Sequence, residues 1–252
     1  MNREATGLAG ARHKHYEQLG STNAEALALA RAGERGPLWI TAAAQTAGRG
    51  RRGSAWVSKP GNLYATVLLT DPSPPAQAPQ LSFVAALALH DAVAQCAPAL
   101  GPALKVKWPN DLLLGLKKLA GILIEGENTP ALTVVIGIGV NCAHHPDDTA
   151  FPATDLAAAD ALVTPEQMIG ALADGMERRL TQWARGEGFA AIRADWLKRA
   201  AGLGQEIRVR LPEREFSGLF HGLDDAGRLL VQQAGEITPV TAGEVFGFGG
   251  AS

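Results

Sequence analysis

The sequence predicts an α+β fold in two parts, a mixed-sheet domain over residues 1–203 and a small β-barrel over residues 204–252. Strand-like runs and apolar-periodic helical stretches share the first two hundred positions. After Gly202 the texture changes to short alternating runs separated by turns. At 252 residues the chain can bury a large core and still carry a small second unit.

Taken in order, residues 1–12 read as a frayed lead-in, and 15–19 as a short strand. Ser21, Thr22 and Asn23 precede a helical pattern over 24–32, with Glu25 three positions after Thr22 as in a capping box. Residues 33–36 should stop that helix. A strand over 38–43 leads through Gln45 into an arginine-rich stretch, and 62–69 forms a strand after the Pro60-Gly61 turn. Four prolines make 71–79 a loop. Leu81, Val84, Ala85, Ala88, Leu89 and Ala92 place a core helix over 81–96.

A strand over 104–108 ends at Pro109. Residues 111–114 pair with 120–125 across a turn at 115–118. Residues 132–141 are apolar on both faces, the pattern of a central strand. His144, His145, Asp147 and Asp148 form a polar surface loop, because adjacent histidines do not readily face one ion. Thr164-Pro165-Glu166-Gln167 is a helix start with cap, first-position proline and glutamine, and two scaffold helices follow over 165–184 and 189–200. The barrel runs are 207–211, 216–220, 229–231 and 235–237.

The formal net charge is −2 and 46% of residues are hydrophobic, which argues against disorder and against a general nucleic-acid coat protein. The two cysteines, Cys96 and Cys142, have no metal-ligand spacing and read as reduced core thiols. Neither a signal-peptide core nor a membrane-length apolar run is visible, so a cytoplasmic protein is expected.

Against this nearly neutral background, Gly48-Arg49-Gly50-Arg51-Arg52-Gly53, followed by Trp56, concentrates three guanidinium groups on a bendable backbone. The glycines match GxGxxG, but a strand rather than a helix follows, so a dinucleotide loop is excluded. HRD and DFG segments are absent, as is GxxxxGK[ST], which excludes a protein kinase and a P-loop NTPase. A guanidinium-rich phosphate loop survives. Lys107 and Lys118 add charge on elements expected to pair in the sheet, where an ammonium needs an anionic partner or an escape to solvent. With Asn110, Asp111 and Asn141 nearby in sequence, the chemistry rests on positioning and charge neutralisation.

The arginine stretch, then Lys107-Trp108-Pro109-Asn110-Asp111, then the run from Lys118-Leu119-Ala120-Gly121 to Glu125, in that order, resembles the biotin protein ligase family. Ser21-Thr22-Asn23, Gln45 and residues 137–141 (GIGVN) fit its other motifs. The resemblance covers residue 21 to the end. It implies a catalytic domain of the class II aminoacyl-tRNA synthetase/biotin synthetase-like type, followed by an SH3-like barrel. It also implies two half-reactions, formation of biotinyl-5′-AMP from biotin and MgATP, then transfer to a lysine of the biotin carboxyl carrier protein of acetyl-CoA carboxylase.

By the same resemblance, Ser21, Thr22, Asn23, Gln45, Gly48, Arg49, Lys118, Gly121 and Leu123 surround biotin. Arg51, Arg52, Trp56, Lys107, Asn110, Lys118 and Asn141 serve the nucleotide, and Lys118, Lys107 and Arg51 carry the catalysis. Magnesium arrives with ATP, and Asp111 orients a lysine or a metal-bound water. The arginine loop should close over the adenylate and keep water out. Only about 20 residues precede Ser21, too few for a three-helix DNA-binding unit, so no repressor function is expected. The C-terminus, Gly247 to Gly250, has no basic tail, which leaves barrel contacts to ATP open.

A lipoate or octanoate ligase of the same fold is the first rival. The polar set Ser21, Thr22, Gln45 and Arg49 suits a ureido ring better than an alkyl chain. A nucleic-acid-binding protein is the second, disfavoured by the net negative charge of the barrel segment. A monomer and a homodimer are both compatible with the sequence.

Overall fold

The computed structural model describes residues 3–8, 10–129, 131–147, 149 and 151–248, with 3–8 and 129 described by backbone alone. One mixed sheet has eight strands: β1 (Arg3–Leu8), β2 (Ala11–Leu19), β3 (Leu38–Gln45), β4 (Leu63–Thr70), β5 (Leu104–Lys107), β6 (Asp111–Leu114), β7 (Lys117–Thr129) and β8 (Ala131–Val140). Their order is β1-β2-β3-β4-β8-β7-β6-β5. Only β2 and β3 run parallel, and the helix α1 (Thr22–Arg31) makes the crossover that a parallel pair requires.

Two unequal layers cover the sheet. On one face, α2 (Leu81–Cys96) and α3 (Pro165–Trp183) pack with α4 (Phe189–Arg199) over Trp39, Val67, Leu112, Leu119, Ile136 and Ile138. On the other face α1 sets Ala26, Leu27 and Ala30 on Leu38, Ile40, Leu68 and Val135. Strand β8 feeds both cores, as its two-sided apolar pattern requires. Ten helical residues span only about 15 Å, so α1 leaves the floor under β6, the first part of β7 and the far end of β8 open. That uncovered floor is where the site forms.

A second sheet contains β9 (Glu206–Arg210), β10 (Glu215–Leu223), β11 (Leu229–Gln233), β12 (Glu236–Val240) and β13 (Glu244–Phe248), all antiparallel, in the order β12-β11-β10-β9-β13. Ile207, Val209, Phe220, Leu223, Leu229, Val231, Val240 and Val245 are its buried side chains. Ala201 N–H bonds to the Val106 carbonyl at 2.8 Å just before the second sheet begins, and Trp108 Nε1–H bonds to the Gly227 carbonyl, between β10 and β11, at 3.3 Å. Gly227 sits at φ +82°, and an added Cβ there would stand 2.7 Å from the Phe83 ring, so this junction requires glycine.

Several sequence expectations need correction. Residues 3–8 are not frayed: they form β1, antiparallel to β2. Strand β2 is correspondingly longer than 15–19. Polar side chains hid both, because backbone pairing fixes these strands, β2 between β1 and β3 and β1 at the sheet edge against β2. The capping box expected at Thr22 does not form. Ser21 is the N-cap without a side-chain cap bond, Thr22 bonds to Gln45, and Glu25 accepts from the Tyr16 hydroxyl. The capping box at Thr164 and Gln167 does form. Part of the proline stretch winds into a short 3₁₀ turn, Pro75–Gln80. In the polar loop Asp148 lies outside the described residues, as do Gly249 and Gly250 of the C-terminal run. Among the described residues no helix is long and apolar enough to cross a membrane.

Candidate active site

Sheet register lays out the floor. Lys107 pairs with Asp111, Asp111 with Gly121, Gly121 with Gly139, and Gly139 with Tyr64, giving one transverse row across five strands. The next row on the same face is Leu123, Gly137 and Thr66, and the third is Glu125, Val135 and Leu68. Helix α1 covers the third row, and its N-terminal Thr22 and Asn23 overhang the second. The glycines answer to specific neighbours. A Cβ on Gly137 would stand 2.3 Å from Asn23 Oδ1, and one on Gly139 would stand 2.6 Å from the Trp56 ring.

A β-bulge brings Lys118 to this floor. Alternation counted back from Leu123 and Gly121 would place Leu119 on the pocket face and Lys118 in the core. Instead, the register between β6 and β7 shifts between Leu112 and Leu113, so Leu119 and Ala120 both enter the core and Lys118 turns toward Asp111. Lys118 Nζ then lies 2.7 Å from Asp111 Oδ1, and Lys107 Nζ lies 2.8 Å from Oδ2. The sequence placed 118 in a turn; the bulge in a paired strand is what the structure adds.

Lys107 is 2% exposed and Asp111 5%. Burial pushes the Asp111 carboxyl up, but Lys118 and Lys107 more than reverse this, and its pKa lies below the ordinary carboxylate value. Two ammonium groups share one carboxylate, which leaves one positive charge in excess. The Phe151 ring, 4.1 Å from Lys107 Nζ, offers only its π-face in compensation. Such a cluster calls for an anion.

The arginine stretch folds as a small hairpin over this floor, with Trp56 N–H bonded to the Gly48 carbonyl and Gly50 N–H to the Ser54 carbonyl. Trp56 lies across Gly121 and Gly139, 5.5 Å from Lys118 Nζ to the ring centre, and its indole N–H has no partner among the described residues. Arg51 is held by Asn110 Oδ1 at 3.4 Å and by the Gly243 carbonyl at 3.1 Å. Burial and neighbouring Arg52 lower its pKa, though a guanidinium stays charged. Arg52 itself is exposed at φ +55°.

A hydrogen-bonded wall completes the cavity. Gln45 Oε1 accepts from Thr22 N–H at 2.8 Å and from its hydroxyl at 3.2 Å. Gln45 Nε2 donates to Ser58 Oγ at 2.9 Å. Thr66, fully buried, donates to Thr22 Oγ1 or Asn23 Oδ1, at 2.8 and 2.7 Å. Asn141 Nδ2 donates to the Thr154 carbonyl at 3.0 Å, and Asn110 Nδ2 to the Ile122 carbonyl at 2.6 Å.

The cavity has a volume of about 710 Å³, the size of a small-molecule site. Every residue singled out from the sequence lines it except Gly48, which stands behind the wall; an added Cβ there would lie 2.5 Å from both Ser58 Oγ and the Trp56 carbonyl. Asn23 donates to Glu125 and Leu123 and accepts from Thr66, so its amide is engaged within the protein. Glu244 of β13 also lines the cavity. The second sheet therefore reaches the site through Glu244 and the Gly243 carbonyl. Phe151, Thr66 and Glu244 carried no sequence signal, and Glu125 was visible only as the end of a motif.

Residues 18–141 match the model of the biotin/lipoate A/B protein ligase family, and residues 202–246 match the biotin protein ligase C-terminal domain. A biotin–[acetyl-CoA-carboxylase] ligase of Paracoccus denitrificans is 44% identical over 239 residues, covering 91% of this chain and 98% of the relative. The chain belongs to the biotin protein ligase family. Among solved members, the biotin protein ligase from Aquifex aeolicus in complex with biotin and ATP superposes with a TM-score of 0.78 at 23% identity, covering 92% of this chain and 97% of that one. The biotin protein ligase from Leishmania major in complex with biotinyl-5-AMP gives 0.64 at 26% identity, covering 91% and 98%. The eight-stranded sheet and the smaller one are thus the biotin protein ligase fold.

Proposed function

We propose that this chain condenses biotin with MgATP to biotinyl-5′-AMP and transfers the biotinyl group to a lysine of a biotin carboxyl carrier protein. The observation that carries this reading is the excess positive charge of the Lys107–Asp111–Lys118 cluster at the floor of a cavity also edged by Arg49, Arg51 and Arg52. Joining a carboxylate to a phosphate requires two anions to approach. Lys118 sits where it can neutralise both, and its charge is worth most as negative charge builds on the phosphoryl oxygens. The carboxylate oxygen forms a bond to the α-phosphorus while the bond to the β-phosphate oxygen breaks, and pyrophosphate leaves. The carrier amine then attacks the acyl carbon of the mixed anhydride, and AMP leaves.

In this reading Ser21, Thr22, Gln45, Arg49, Gly121 and Leu123 form the biotin pocket, with Asn23 orienting Thr22 and the α1 terminus. Gly48 gives the loop its close packing. Arg51, Arg52, Lys107, Asn110 and Asn141 edge the nucleotide end, and Trp56 moves between pocket floor and adenosine. The domain boundary is placed at residues 203/204. Asp111 has both oxygens engaged by ammonium groups, so it positions lysines, and magnesium enters as part of the MgATP substrate. The proposal places the enzyme in the cytoplasm, as a monomer or homodimer, and gives nucleic acid no role, in keeping with a net charge of −2.

The test is to incubate the protein with biotin, MgATP and a purified carrier domain and to detect biotinylated lysine by mass. Lipoate replaces biotin in a parallel reaction. Modification with biotin alone supports the reading; modification with lipoate alone assigns the chain to the lipoate branch.

A further inference from the structure

Glu125 follows Gly121 and Leu123 along the pocket face of β7, yet the reaction above gives it no part. Its Oε2 accepts from Asn23 Nδ2 at 2.8 Å, and its Oε1 lies 3.3 Å from Arg49 Nη2. One carboxylate therefore touches both the terminus of α1 that walls the cavity and the arginine loop that covers it. Glu127, two residues on along the same face, is paired with Arg31 of α1 and does not compete.

An exposed ion pair of this kind contributes little to stability by itself. Its placement matters more. A bare carboxylate beside a cavity for anionic ligands would repel them, and Arg49 is the cation that cancels it. The other end of the loop is also tied to the wall, through Gln45 Nε2 to Ser58 Oγ and Ser58 Oγ to the Trp56 carbonyl, both at 2.9 Å. The loop is thus tethered at both ends to residues of the acid-binding wall. The Glu125 tether is the longer and more exposed of the two, with side-chain exposures of 47% for Arg49 and 28% for Glu125.

We propose that Glu125 is a positioning residue that latches the arginine loop to the biotin pocket, holding Arg49 at the cavity while it orients Asn23. The proposal rests on the reading of the pocket given above and adds to it the link between pocket and loop. One oxygen serves the loop and the other serves the wall, so the two roles separate by substitution. Glu125→Gln retains an acceptor for Asn23 and loses the charge that holds Arg49. Glu125→Ala loses both.

The three arginines are trypsin sites, so loop fastening is read directly in the full-length, ligand-free protein as the rate of cleavage after Arg49, Arg51 and Arg52. Both variants should be cleaved several-fold faster than wild type there, with other sites unchanged. Biotin KM should rise roughly tenfold in Glu125→Ala, the scale of one lost charge-assisted hydrogen bond, and distinctly less in Glu125→Gln. Cleavage of Glu125→Gln at the wild-type rate overturns the latch, and equal KM changes in the two variants overturn the Asn23 role. The cleavage measurement needs no substrate, so it stands whether or not wild-type enzyme uses biotin. Failure of wild type to form biotinyl-5′-AMP would count against the pocket reading instead.

Discussion

Lys118 Nζ lies 2.7 Å from Asp111 Oδ1, although regular alternation along β7 would put the lysine on the opposite face of the sheet. The bulge at Leu119 turns it round. The next two residues, Leu119 and Ala120, are fully buried on the helix side, so the lysine cannot relax back without exposing them or burying its charge there. Lys118→Ala should therefore leave the fold intact and slow adenylate formation by roughly 10²–10³, the cost of one preorganised charge donor. Biotin-dependent ATP–pyrophosphate exchange measures it. Exchange at the wild-type rate would remove Lys118 from the reaction.

Asp111 is the hinge of the charge cluster, and Asp111→Asn leaves two ammonium groups facing each other with no counter-charge. Removing one partner of a buried ion pair costs about 3–5 kcal/mol, so urea unfolding at neutral pH should show a loss of that order. The pH dependence follows from the depressed carboxyl. Its contribution is complete above the ordinary carboxylate value near 3.8 and is lost as pH falls through the lower folded-state value. The gap between wild type and variant should narrow on acidification. A gap that keeps its neutral-pH size as the pH is taken well below 3.8 would show that the charge of Asp111 is not what the variant lacks.

Gly137 and Gly139 are separated by one residue, and the same substitution should act differently at each. An alanine at 137 drives its Cβ into Asn23, which is fixed by Thr66 and Glu125 within a packed wall. It should cost about 1–3 kcal/mol as an overpacking change and raise biotin KM more than ATP KM. An alanine at 139 meets the Trp56 ring, which sits on a loop held to the wall by a few polar contacts and not packed within it. It should scarcely change the unfolding midpoint while still raising biotin KM. Equal destabilisation by the two would contradict the distinction between the packed wall and the tethered loop.

Where the residues announced their own environment, the sequence was enough to read the fold. Helix α2 shows apolar positions at helical spacing over its whole length, and β8 is apolar on both faces because both faces are covered. The motif residues Lys107, Asp111, Gly121 and Arg51 could be grouped, since their order along the chain is distinctive. Their geometry could not. The bulge at Leu119 depends on pairing between β6 and β7, and β1 depends on the backbone of β2, neither of which leaves a mark on local composition. Thr66 and Phe151 are an ordinary strand residue and an ordinary loop aromatic until the sheet sets one beneath Asn23 and the loop brings the other to Lys107. Glu25, whose spacing suggested a cap for α1, instead accepts from the Tyr16 hydroxyl of β2, a tertiary partner that local sequence does not show.

Trp56 offers a direct optical test of ligand entry. The other four tryptophans, Trp39, Trp108, Trp183 and Trp196, are each 3% exposed or less and lie in the core of the sheet and helices, away from the cavity. Trp56 alone among them lines it, resting on Gly121 and Gly139 with an unpartnered indole N–H and the Lys118 ammonium beside it. A ligand on that floor has to displace the ring or stack against it, and either changes its polarity and its distance from the ammonium. Adding biotin should therefore shift the tryptophan emission of the wild-type protein, and Trp56→Phe should abolish the shift while conserving the apolar contact with the glycines. If the emission change survives in Trp56→Phe, the ligand does not occupy the floor that Trp56 covers.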